Sequence, residues 1–67
     1  MNKATRVARV AARARYVFAG QPAYAAAWLR EAQSSLGDRT PMQMLATESG
    51  AIAVEEQLIG IEHGMFA

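Results

Sequence analysis

The stretch "TPMQMLATESGAIAVEEQLIGIEHG", residues 40–64, decides the fold. Thr40 can cap a helix with its hydroxyl, Pro41 suits the first helical position, and Gln43 can reach back to complete a capping box. Thr47 begins a second cap only seven residues on, so the first helix is short and ends near Ala46. Glu48 then lies in the first turn of the next helix, where the helix dipole favours an anion. From about Glu48 to His63, Ala51, Val54, Leu58 and Ile61 recur at spacings of three and four, the mark of one helical face. Ile52 and Ile59 widen that stripe. Gly64 accepts a left-handed conformation at low cost and reads as the stop.

Toward the N-terminus the same logic predicts two more helices. Val7, Val10, Ala14, Val17 and Phe18 form an apolar face on a helix from about Ala4 to Ala19, halted at Gly20. Pro22 opens a second helix reaching about Ala32, with Ala25, Trp28, Leu29 and Ala32 inward. "QSSLGDR", Gln33 to Arg39, reads as a loop, with Leu36 an inward anchor and Gly37-Asp38 a turn. The expected fold is therefore all-α: about four helices, two long outer ones and a short capped one between. Tyr16, Phe18, Tyr24, Trp28 and Phe66 are the candidate bulky anchors. The apolar band on the last helix is wide for a single small core and points to dimerisation.

Composition narrows what such a unit does. The chain has 67 residues and 52% are apolar, but fifteen of these are alanine, which forms helix well and fills little volume. A chain this short buries roughly 60% of its unfolded surface, too little for a deep catalytic cleft. With no cysteine, disulfides and thiolate metal sites are excluded. That leaves self-association or a partner as the stabiliser. No apolar run reaches the roughly 18 residues of a membrane span. The start lacks the apolar core of a secretory signal, and cysteine-free composition fits a cytoplasmic location.

No nucleophile, base and orienter form a spaced set among Ser34, Ser35, Ser49, His63 and Asp38, so no catalytic residue is assigned. Glu56 and His63 share a helical face, but two ligands without a third make no metal site, and no cofactor is expected. Charge is segregated along the chain. Five of the seven basic residues lie in the first fifteen positions, and all six acids lie between Glu31 and Glu62. Arg6, Arg9 and Arg13 stand off the apolar stripe, either as a solvated face balancing the acidic end or as a phosphate-binding one. A helix-turn-helix reading fails on charge, since the second helix would carry four glutamates and no cation into the groove.

After Gly64 the chain continues with Met65, Phe66 and Ala67, either a last piece of core or an exposed partner patch. The order of residues from 12 onward resembles the toxin-binding domain of the Xre/MbcA/ParS antitoxins. Phe18-Ala19-Gly20, Trp28-Leu29, Leu36-Gly37, Arg39-Thr40-Pro41, Leu45, Thr47-Glu48, Gly50, Val54, Leu58 and Ile61-Glu62-His63-Gly64 carry the likeness. It covers residues 12–67 and leaves 1–11 as a basic N-terminal extension of the first helix. Two local features depart from the family pattern: Gln33-Ser34 where Pro-Asn is common, and Asp38 where a second glycine stands.

The resemblance implies a cytoplasmic, non-enzymatic type II antitoxin that dimerises and silences a RES-domain toxin, an enzyme that destroys NAD. It implies that Glu62, His63, Gly64, Met65, Phe66 and Ala67 form the toxin-binding end, which occludes the active-site opening. DNA binding, expected of the family through a preceding domain, would need such a domain in addition to this region.

Overall fold

The computed structural model describes residues 2–64, and among these every regular element is helical apart from one isolated bridge. The elements are α1 (Lys3–Val17), α2 (Pro22–Leu29), a 3-10 turn (Ser34–Leu36), α3 (Pro41–Met44) and α4 (Glu48–Glu62). The expected order, two long outer helices around a short capped one, holds.

Local chemistry sets most of the boundaries. Asn2 caps α1, its side chain accepting from the Thr5 N–H at 2.8 Å. The helix stops at Val17, two residues short of the expected Ala19, because the chain turns at Phe18 toward Gly20 with φ +83°. The capping box of α3 is complete: the Gln43 N–H donates to Thr40 Oγ1 at 3.0 Å, and the Thr40 N–H to Gln43 Oε1 at 2.9 Å. Thr47 caps α4 through the Gly50 N–H at 3.1 Å.

The end of α2 departs from expectation. Its helix closes at Leu29 rather than Ala32, and Ala32 is exposed. Glu31 and Ala32 are adequate helix formers, so propensity does not end the helix. A pairing closed from outside does: Gln33 is extended and bridges to Arg39, its N–H donating to the Arg39 carbonyl at 3.0 Å. The Gln33 carbonyl also accepts from Leu36 at 2.9 Å and Asp38 at 3.0 Å. Gly37 and Asp38 both turn left-handed, at φ +67° and +62°. This loop aims Leu36 into the core.

The core is built of Val10 and Ala14 from α1, Ala25, Trp28 and Leu29 from α2, Leu36, Leu45, and Ala51, Val54 and Leu58 from α4. Trp28, Leu36 and Leu45 are buried as the sequence implies. The aromatic expectation needs correction. Tyr16 is 66% and Tyr24 54% exposed, so neither anchors the core. Phe18 is half-buried, set edge-on to Tyr24 with centroids 4.9 Å apart and tilted against Trp28 at 5.8 Å. Trp28 alone among these four goes fully inside. Small alanines let the helices approach closely enough that one large ring fills the space.

The reading of the arginines as a solvated face also changes. Arg6, on α1, reaches 39 residues along the chain: its Nε donates to the Leu45 carbonyl at 2.9 Å and its terminal nitrogen to the Ala46 carbonyl at 2.9 Å. A helix end leaves carbonyls without intrahelical partners. In α3, only four residues long, those groups are supplied with a cation from another element.

Gly50 completes the α3–α4 corner. A Cβ there would lie 1.9 Å from the Met44 carbonyl oxygen, which is backbone and cannot swing away. Burial at this position is a matter of contact between two main chains, not of flexibility.

Three stability predictions follow from this geometry. Gly50→Ala is expected to cost about 2–4 kcal/mol in denaturant unfolding, because α3 and α4 must part; a cost within measurement error would show that the corner is loose. Arg6→Met keeps the aliphatic stem and is expected to cost about 1–2 kcal/mol through the two lost charge-assisted bonds. At the left-handed Asp38, replacement by glycine should leave the thermal midpoint level or higher. Asp38→Val should lower stability by about 1–3 kcal/mol, since a branched side chain is strained there.

Candidate partner-binding surface

α1 and α4 lie side by side and point the same way. Arg6 meets the turn before α4, Arg9 reaches Glu48 and Glu55, and Tyr16 lines a groove with Glu62. Two neighbouring helices can run parallel only if the chain returns between them. Here α2, the 3-10 turn and α3 make that return.

The arrangement brings the basic start of the chain against its acidic end. Arg9 donates to Glu48 at 3.1 Å and pairs with Glu55 at 2.9 Å, bridging two turns of α4. The hydrogen bond with Glu48 raises the Arg9 pKa above its ordinary value, opposed by desolvation and aided by the Glu55 charge. Arg9 is therefore a charged clasp at every physiological pH.

Of the three arginines weighed as a phosphate-binding face, Arg6 and Arg9 are thus engaged inside the domain. Arg13 is exposed and lines the α1–α4 groove with Arg9, Ala12, Tyr16, Glu55 and Glu62.

The candidate C-terminal site begins at the end of this groove. Glu62 is the last residue of α4, exposed, and His63 caps the helix with its N–H donating to the Ile59 carbonyl at 3.1 Å. Gly64 donates to the Ile61 carbonyl at 3.1 Å and turns left-handed at φ +73°, the stop its position implies. Among the described residues, nothing beyond its chain neighbours lies within 4 Å of where a Cβ would stand. Glu62, His63 and Gly64 are therefore displayed together at one end of the domain. Met65, Phe66 and Ala67, the rest of the expected site, lie outside the described residues.

The outer face of α4 holds the two residues that widen the apolar band of the sequence. Ile52 is 47% and Ile59 39% exposed, on the side away from Val54 and Leu58. Periodicity could not separate these two sets, because the helix is apolar on both sides. Tyr16 on α1, also largely exposed, lines the α1–α4 groove. Among the described residues no group of three or more His, Asp or Glu could hold a metal, and no helix is long and apolar enough to cross a membrane. What the surface offers is contact area with mixed charge.

Comparison with known proteins gives that surface a context. Residues 13–64 match the family described as the antitoxin Xre/MbcA/ParS C-terminal toxin-binding domain. The chain is also 41% identical over 59 residues to antitoxin Xre of Pseudomonas putida, covering 88% of this chain and 36% of that protein. It thus spans about a third of the length of this relative. No solved structure gives a significant match. The matched region takes in the groove from Arg13 onward, the α3–α4 corner and α4 with its exposed end, and it makes the chain a member of the Xre/MbcA/ParS antitoxin family, bearing a toxin-binding domain whose work is binding rather than catalysis.

Proposed function

We propose that this domain neutralises a RES-domain, NAD-degrading toxin by covering its active-site opening with the C-terminal segment Glu62–Ala67, and that it acts as a homodimer in the cytoplasm. The observation carrying the antitoxin reading is the family match across residues 13–64, which takes in the exposed helix end Glu62–Gly64. Occlusion draws its support from the geometry of that terminus. α4 is a rigid rod of 15 residues, capped by Thr47 at one end and released by left-handed Gly64 at the other. Met65 and Phe66 supply apolar contact area immediately after that release, and buried aromatic side chains dominate the energetics of many interfaces.

The toxin assignment and the plug are separable. Co-expression with a RES-domain toxin should preserve cellular NAD with the intact chain. A chain ending at Gly64 should lose most of that protection while remaining helical by circular dichroism. Equal protection by both would remove the plug and keep the antitoxin. A lack of complex with either would count against the RES assignment.

A further inference from the structure

The end of the domain that displays Glu62, His63 and Gly64 carries a second element. α1 runs parallel to α4, so it finishes at that same end, and the turn into α2 lies there. Tyr16 and Glu62, which line one groove, join the two. From Tyr16 to Leu29 the chain has fourteen consecutive residues without a charge, its longest such run. Ala25, Trp28 and Leu29 of that run go into the core, while Ala19 to Tyr24 are all exposed. Charge depletion together with aromatic enrichment is the composition of the centre of an interface.

The aromatic residues at this end are held ready. Phe18 sets its ring edge-on to Tyr24, with centroids 4.9 Å apart, and tilts against the buried Trp28 at 5.8 Å. The Gln21 N–H donates to the Phe18 carbonyl at 2.9 Å and closes the turn between them. Tyr24 is exposed yet braced, so covering it costs little in side-chain ordering.

We infer that the toxin rests on this turn as well as on the C-terminal segment, with Tyr24 as the interface anchor, Phe18 as its brace and Tyr16 covered beside Glu62. The inference rests on the antitoxin reading above and deepens it: the partner that receives the C-terminal segment also covers the turn. Met65 to Ala67 span at most about 10 Å when extended. A toxin that takes in so short a segment brings the rim of its opening against the end of the domain, and the uncharged turn is part of what that end presents. The matching chemistry on the toxin is an apolar rim with acceptors at its border for the phenol hydroxyls. Turn and segment then do different work: the turn holds the toxin and the segment closes it.

The test separates holding from closing, with a purified RES-domain toxin as the probe. In the full chain, Tyr24→Ala should weaken toxin binding by about thirtyfold, the loss of an anchor residue, with helicity and thermal midpoint close to wild type. Tyr24→Phe keeps the ring and should bind within about threefold of wild type. The chain ending at Gly64 should still bind the toxin while failing to protect NAD, and Tyr24→Ala added to it should abolish that binding. A photo-reactive phenylalanine derivative at position 24 should cross-link to the toxin, which reads contact directly even if the alanine variant folds poorly.

Tyr24→Ala binding as tightly as wild type would overturn the role of the turn and leave the antitoxin reading standing. So would weakened binding without a cross-link to the toxin, or a cross-link that forms only between copies of this chain. Loss of all binding on truncation at Gly64 would show that the segment does the holding, and would overturn the inference as well. A wild type that binds no RES-domain toxin would remove the RES assignment and this inference together.

Discussion

The structure depends on the guanidinium of Arg6 reaching the carbonyls of Leu45 and Ala46. A helix as short as α3 cannot satisfy its own C-terminal carbonyls, because the first and last turns are the same turn. Left to water, that end would be the weakest joint in the domain. Arg6 ties it to α1 instead, and Arg9, one turn further along α1, ties that helix to α4 through Glu48 and Glu55. Between these two ties Gly50 lets the main chains of α3 and α4 touch. The corner thereby fixes the direction of α4, and the direction of α4 decides where Glu62, His63 and Gly64 are displayed.

How much of this was legible in the sequence follows the range of each interaction. The cap of α3 was readable because Thr40, Pro41 and Gln43 act within one turn. The stops at Gly20 and Gly64 were readable for the same reason, and the loop around Leu36 from its Gly37-Asp38 turn. What was not legible was long-range. Arg6 and Arg9 stand off an apolar stripe, and periodicity says only that they face away from the core. Their nearest partners in sequence lie 39 residues away, so nothing local marks them as structural. Gly50 in a helix reads as a propensity cost until the Met44 carbonyl is placed against it. The end of α2 was missed because the Gln33–Arg39 pairing that stops it is made by residues after the helix.

The candidate site divides along a similar line. Residues 62–64 were identified through likeness to a family, and the structure adds that they share one exposed helix end. Ile52 and Ile59 read as a widening of the inner stripe, since a helix with apolar residues on two sides gives one broad band in a linear reading. Only packing tells the inner set from the outer. The misreading of Tyr16 and Tyr24 as anchors has the same origin: size suggests burial, but a tyrosine can cover neighbours while keeping its hydroxyl in water.

Segregated charge along the chain takes on a different meaning once α1 and α4 are parallel neighbours. A cluster of arginines in the first fifteen residues invites a nucleic-acid reading when taken by itself, because phosphate affinity is dominated by cations. In the folded domain Arg9 pairs with Glu48 and Glu55, Arg13 shares a groove with Glu55 and Glu62, and Arg6 is bound to the Leu45 and Ala46 carbonyls. The long-range attraction that would gather phosphate is thereby weakened, while short-range pairing is strengthened. Charges arranged in this way select a geometry more than they raise affinity. Within the domain they set the register of α1 on α4 through Arg9. A net charge of only +1 is thus the remainder of two opposed sets of charge that the fold brings together.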